Sequence, residues 1–285
     1  MTNINHNNFE IQSQPEPGLE SKMIPKPDDG SSNYNGHKKL VGKKALITGG
    51  DSGIGRAVAI AFAHEGADIV INYLPEEESD AQEVKQIVEK IGGNIYLIPG
   101  DLKSEKFNHN LVEQAVKLLG HIDILALIAG KQQSIEKIDD LTTQQLIDTY
   151  TTNVFSLVWL IKAAKPYISK GGSIITTSSL QADRPSSFLI DYAGTKSAIR
   201  NMTISLAQQF SDYGIRVNCV APGPTWTALQ VAGGRPIEQL PSFGKNTILN
   251  RAGQPREIAT AYVYLASNES SFINGECIKV NGGLA

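Results

Sequence analysis

One stretch limits what this chain can fold into more than any other. The apolar run Lys43-Lys-Ala-Leu-Ile-Thr48 stops at Gly49-Gly-Asp-Ser-Gly-Ile-Gly55, and Val58, Ile60, Ala61 and Phe62 follow. A short apolar run bounded by glycine reads as a buried strand, and the spacing after it reads as a helix. Strand, glycine turn and helix in that order let backbone N–H groups approach a pyrophosphate at the positive end of a helix. Gly49, Asp51, Ser52, Gly53 and Ile54 are therefore candidate cofactor-binding residues. A plain tight turn would use the same glycines, so the rest of the chain must decide.

The pattern then repeats. A strand at Asp68–Tyr73 precedes a helix from Glu76 to Ile91, and a strand at Asn94–Ile98 precedes a helix from Ser104 to Leu119. Further strands are expected at Ile122–Ile128, Gly172–Ser178, Gly214–Ala221 and Glu276–Val280, with helices from Thr142 to Lys165, from Tyr192 past Phe210, and from Pro255 to Ser267. Alternation of this kind predicts an α/β doubly wound parallel sheet, a single Rossmann domain of about seven strands with helices on both faces. Ligands in such sheets sit beyond the carboxyl ends of strands. Tyr73, Asp101, Leu102, Ala129 and Gly130 fall there, and the stiff turn Pro222-Gly223 with Thr225 and Thr227 suits a cofactor wall. After the second strand, Asn72-Tyr-Leu-Pro75 offers neither an acid for ribose hydroxyls nor a base for a 2′-phosphate. Glu76, Glu77 and Glu78 fit the first turn of the next helix, where acids are favoured. Three carboxylates disfavour an extra phosphate, so the reading leans to NAD over NADP.

Chemistry enters with Tyr192 and Lys196, four residues apart at the start of a helix and so on one face. An ammonium beside a phenol favours the phenolate, which suits proton exchange with an alcohol or carbonyl oxygen. Ser179, at the end of an apolar strand, could hold the same oxygen. Alone, the Tyr–Lys pair would more often be an exposed helix pair. Asn153 lies inside the Thr142–Lys165 helix, where its amide competes for backbone groups. A tolerated polar residue and a local distortion that orders a water are equally supported.

Composition excludes several classes. The 285 residues are 41% hydrophobic and 19% charged, with a net charge of -3. No basic excess exists to neutralise nucleic-acid phosphates. No apolar run approaches the roughly 20 residues of a membrane helix, and the first ten residues show no secretory pattern. Cys219 and Cys277 read as buried free thiols in a reducing cytosol, and the scattered histidines suggest no metal site. Residues 1–38 are polar and carry Pro15, Pro17, Pro25 and Pro27. They read as an extension, disordered or laid over the surface, with Met23, Ile24 and Tyr34 as anchors. The domain proper is expected over 39–285, with a lid at about 225–250. Trp226, Leu229, Val231, Ile237, Leu240 and Phe243 would line that lid for a modest apolar substrate, or pack it onto the core.

Thr48-Gly-x-x-x-Gly-Ile-Gly55, Gly100-Asp-Leu102, Asn153, Ser179, Tyr192-x-x-x-Lys196 and Pro222-Gly223 together resemble the short-chain dehydrogenase/reductase family over residues 41–285. Tyr192 falls thirteen residues after Ser179, as in its standard-length branch. The extension and Gly-Gly-Asp-Ser-Gly-Ile-Gly resemble a bacterial subgroup often labelled as aldehyde reductases or glucose-dehydrogenase-like proteins. The resemblance implies Tyr192 as general acid or base, Lys196 lowering its pKa and holding the nicotinamide ribose, Ser179 positioning the substrate oxygen, and Asn153 holding a relay water. It implies a dinucleotide on Gly49, Gly53, Ile54 and Gly55, Asp101 near the adenine, and Pro222, Gly223, Thr225 and Thr227 beside the nicotinamide. It also implies a homotetramer built through helices 142–165 and 190–212. One departure stands out: Leu127-Ile128-Ala129-Gly130 replaces the usual Asn-Asn-Ala-Gly, so two amides are lost. The expected protein is a cytoplasmic NAD(P)-dependent oxidoreductase that interconverts a carbonyl and an alcohol. The competing expectations are a catalytically silent NAD(P)-binding regulatory protein, and a protein whose extension is a partner-binding arm.

Overall fold

In the computed structural model, which describes residues 9–283, seven strands form one parallel sheet. They are β1 (Lys44–Thr48), β2 (Asp68–Tyr73), β3 (Ile95–Pro99), β4 (Ile122–Leu127), β5 (Ile168–Thr177), β6 (Arg216–Pro222) and β7 (Cys277–Val280), in the spatial order β3-β2-β1-β4-β5-β6-β7. The order reverses at β1 and β4, which leaves a crevice beyond their carboxyl ends.

The strands are apolar throughout because both faces are covered. Ala45 and Ile47 of β1, and Ile69 and Ile71 of β2, enter one core with α1 (Gly53–His64), α2 (Glu78–Lys90) and α7 (Pro255–Ala266). Their neighbours Leu46 and Val70 enter the other, with α3 (Glu105–Leu119), α5 (Ser156–Ala164) and α6 (Ile190–Phe210). Cys219 and Cys277 are register partners on β6 and β7 and are free thiols; Cys219 is buried but Cys277 only partly so. Among the described residues no helix is long and apolar enough to cross a membrane, and no cluster of His, Cys, Asp or Glu could hold a metal.

Expected boundaries shift mainly where a side chain caps an end. Ser104 and Thr142 stand before their helices and accept from the N–H groups of Phe107 (3.2 Å) and Gln145 (3.1 Å). The continuous helix expected from Thr142 to Lys165 is interrupted. Between α4 (Thr143–Tyr150) and α5 the backbone opens into a π-helical turn at Thr151–Phe155. Asn153 lies at its centre, so the backbone shows the local distortion.

Residues 9–38 wrap the domain in extended form with a single 3-10 turn at Glu20–Lys22; the first eight residues lie outside the described part. Phe9 stacks on Trp226, with ring centroids 3.9 Å apart and planes 12° apart. The Trp226 indole N–H donates to the Pro25 carbonyl at 2.8 Å. Met23 is buried, and the Tyr34 hydroxyl donates to Glu65 at 2.6 Å. Ile24 does not serve as an anchor: it is 68% exposed. Phe9 and Met23 join Trp226, Ala228, Val231, Leu240, Phe243 and Ala252 in a small third core. Most of the apolar lid residues are thus spent on packing the lid rather than on lining a substrate site.

Candidate active site

A cleft of about 990 Å³ occupies the crevice, at the upper end of the range for small-molecule sites. Its first wall is the glycine turn. A Cβ on Gly55 would sit 1.8 Å from the Gly49 carbonyl oxygen, and Gly53 holds φ +52°, so neither position admits a side chain. The turn therefore presents bare backbone to the cleft at the start of α1, the geometry a diphosphate needs. Every cofactor candidate from Gly49 through Thr227 lines this one cleft, as do Ser179, Tyr192 and Lys196. The chain fits a nicotinamide dinucleotide.

The opposite wall is built from the ends of β4 and β5 and the start of α6. Lys196 Nζ donates to the Thr177 carbonyl (2.9 Å), and the Ser178 hydroxyl donates to the Lys196 carbonyl (2.7 Å), so strand and helix hold each other in place. Asp191 steadies the helix start by accepting from the Tyr192 N–H (2.8 Å) and the Thr149 hydroxyl (2.8 Å). Lys196 Nζ lies 5.4 Å from the Tyr192 ring centroid. Gly130 is the spacer here: a Cβ on it would come within 3.4 Å of Lys196 Nζ and 3.5 Å of Asn153 Oδ1.

Burial dominates the electrostatics of this wall. It pushes the Tyr192 phenol up to about 12, opposed by a hydrogen bond from Ser179, and pulls Lys196 down to about 8. In the protein alone, desolvation of the phenolate raises the tyrosine pKa, and Ser179 rather than Lys196 is the group that opposes it. Near neutral pH, Tyr192 carries its proton and Lys196 its charge.

Asn153 sits just behind the cleft rather than on its surface. Its Oδ1 accepts from the Lys131 N–H (2.7 Å), and its Nδ2 donates to the Lys131 carbonyl (2.9 Å) and the Thr195 hydroxyl (3.0 Å). The amide braces the segment after Gly130 against α6. The Leu127-Ile128 departure is absorbed without orphaned backbone. Thr48 Oγ1 accepts from the N–H groups of Ile128 (3.0 Å) and Ala129 (3.2 Å), and Thr177 donates to the Leu127 carbonyl (2.7 Å).

At the end of the cleft near the glycine turn, carboxylates crowd. Asp51 is 1% exposed with one oxygen unpartnered; burial lifts its pKa to about 6 and that of Glu77 to about 8. Residues of the extension also reach the site, which no local pattern foretold. Glu20 accepts from the Gly53 N–H (2.6 Å) and lies 3.4 Å from Arg56, while Glu16 accepts from Lys131 Nζ (2.6 Å). Burial raises Glu20 to about 8 despite Arg56.

A family model described as enoyl-(acyl carrier protein) reductase matches residues 49–285. The uncharacterized oxidoreductase YhxD of Bacillus subtilis is 54% identical over 98% of this chain and 94% of its own length. The NADPH-dependent aldehyde reductase 1 of Arabidopsis thaliana chloroplasts is 41% identical over 94% of this chain and 95% of its own. A short-chain dehydrogenase from Burkholderia cenocepacia, crystallised with NADP, superposes with a TM-score of 0.80 at 32% identity, over 86% of this chain and 98% of that one. The chain belongs to the short-chain dehydrogenase/reductase family of oxidoreductases. The NADP in the Burkholderia structure lends the lean to NAD no support.

Proposed function

We propose that this protein is an NADP(H)-dependent oxidoreductase that interconverts a carbonyl and an alcohol, with Tyr192 as the proton donor in reduction. The observation that carries the reading is the convergence of the Tyr192 phenol, the Ser179 hydroxyl and the Lys196 ammonium on one wall of the cleft that the bare glycine turn also lines. A substrate carbonyl oxygen is held by the Ser179 and Tyr192 hydroxyls. A nicotinamide dinucleotide in this cleft would supply the hydride. Tyr192 passes its proton to the developing alkoxide, and the phenolate left behind is stabilised by Ser179 and by Lys196. Asn153 acts through position, holding Lys131 and Thr195 so that the wall keeps its shape.

The phosphorylated cofactor is favoured by the two relatives whose names mention it. Of the acids after β2, Glu77, its pKa lifted to about 8 by burial, sheds charge near neutral pH, which eases the approach of a 2′-phosphate. Parallel fluorescence titration checks this: tighter binding of NADPH supports it, and tighter binding of NADH overturns it. A homotetramer is consistent with exposed Ile147, Phe155 and Ile204 on α4–α6 and the turn between them, and light scattering reads it directly. The free thiols suit a reducing cytoplasm.

Tyr192→Phe tests the whole reading. It should cost about 10²–10⁴-fold in kcat while cofactor affinity stays within a few-fold. Unchanged turnover would remove Tyr192 from the chemistry. Absence of turnover in the wild type across aldehydes, ketones and alcohols would favour the silent binding protein instead.

A further inference from the structure

Arg235 stands in the lid on the same cleft as Tyr192 and is half-buried. Its place is fixed from two sides. The Ser134 N–H donates to the Gly233 carbonyl (2.8 Å), and the Gln132 side-chain amide donates to the Gly234 carbonyl, so the residues just before it are tied to the segment that Asn153 braces. The guanidinium lies 4.5 Å from the centre of the Phe243 ring and donates through Nη2 to Gln239 Oε1 at 2.9 Å. Both contacts orient a cation without neutralising it.

What Arg235 lacks is an acid. Its Nε is buried with no acceptor, and among the described residues no carboxylate forms an ion pair with it. Its neighbours differ. Arg251 is held by Glu257 (2.6 Å), and Lys131, in the same cleft, by Glu16. Burying a guanidinium donor without an acceptor is costly, so such an atom calls for a reason. The planar fork of arginine matches a carboxylate, which can take two parallel N–H bonds.

We propose that Arg235 receives a carboxylate carried by the substrate, so that the enzyme acts on carbonyl compounds bearing an acidic group away from the reacting carbon. The inference rests on the reading of the cleft as a carbonyl–alcohol oxidoreductase site. It replaces the modest apolar substrate expected from the lid sequence, since Trp226, Val231 and Leu240 are turned into the third core.

The test uses the full chain with NADPH and straight-chain ω-oxo carboxylates of four to eight carbons, each beside the uncharged aldehyde of the same length, such as 4-oxobutanoate beside butanal. At one or more lengths kcat/KM should be about tenfold or more higher for the oxo acid. Arg235→Gln should abolish that preference through KM, leave kcat and the uncharged aldehyde within about twofold, and leave NADPH affinity unchanged. Arg235→Lys should restore part of it. Equal kcat/KM for acids and aldehydes at every length in the wild type overturns the proposal whatever the variants do, as does an equal loss for both substrates in a folded Arg235→Gln. Turnover of uncharged aldehydes without acid preference breaks this inference alone. No turnover of either, with Tyr192→Phe indistinguishable from the wild type, breaks the parent reading as well.

Discussion

The wall that carries Tyr192 and the roof that carries Arg235 face the same cleft, yet they are assembled by different means. The wall comes from the ends of regular elements, and its side chains are bonded to neighbouring backbone: Lys196 to Thr177, Ser178 to Lys196, Asn153 to Lys131. The roof is irregular chain, residues 9–30 and 225–250, held by a small apolar core whose members come from opposite ends of the sequence. Phe9 on Trp226 and Trp226 on Pro25 are its main ties. The wall sets the chemistry because its groups are fixed relative to the sheet. The roof can set which molecule enters, because its packing is separable from the two main cores.

Wall and roof substitutions therefore fail differently. The largest effect belongs to the wall: Tyr192→Phe removes most of kcat and leaves thermal stability and cofactor affinity nearly intact. On the roof, Trp226→Ala empties the third core. It should cost about 3–5 kcal/mol of roof stability, seen as rapid proteolysis of the extension and a raised substrate KM. A kcat loss as large as that of Tyr192→Phe, with KM unchanged, would erase the distinction. Between the two regions lies Glu20, the extension's contact with the glycine turn. Glu20→Ala removes the acceptor for Gly53 N–H and one partner of Arg56, at a cost of about 1–3 kcal/mol. Chemical denaturation should register it, while kcat with saturating NADPH holds. Glu20 also gives the docking of the extension a pH dependence. Its pKa, raised to about 8 from 4.5, makes its contribution full below about pH 4.5 and lost as pH rises toward about 8. Amide exchange of residues 14–30 should therefore quicken across that window, and Glu20→Gln should flatten the trend.

The same contrast explains what could be read without the structure. The strands, the glycine turn and the Tyr192–Lys196 row were legible because each is local: a period, a turn chemistry or a four-residue spacing. Asn153 announced a disturbance by its poor fit in a helix, but not that its amide would be consumed by Lys131 and Thr195. The four-residue spacing of Tyr192 and Lys196 carries no information on burial, a property of the assembled fold that raises the Tyr192 pKa. The roof was illegible for a deeper reason. Phe9, Glu20 and Trp226 carry no period and no short spacing, and their contacts depend on how two irregular segments cross. Ile24 looked as good an anchor as Met23, and only the path of the chain separates them. Arg235 could not be singled out either, since its distinction is the partner it lacks.

The most direct test of the account is the pH dependence of single-turnover reduction by the NADPH-loaded enzyme. Tyr192 holds its proton to about 12 and Lys196 its charge to about 8. The competent form, neutral phenol beside ammonium, therefore persists below about pH 8 and is lost above it. The rate should be level near neutrality and fall about tenfold per pH unit beyond that point, with Tyr192→Phe slow throughout. A rate that climbs through about pH 8, or a Tyr192→Phe profile that overlays the wild type, would contradict proton donation by this wall.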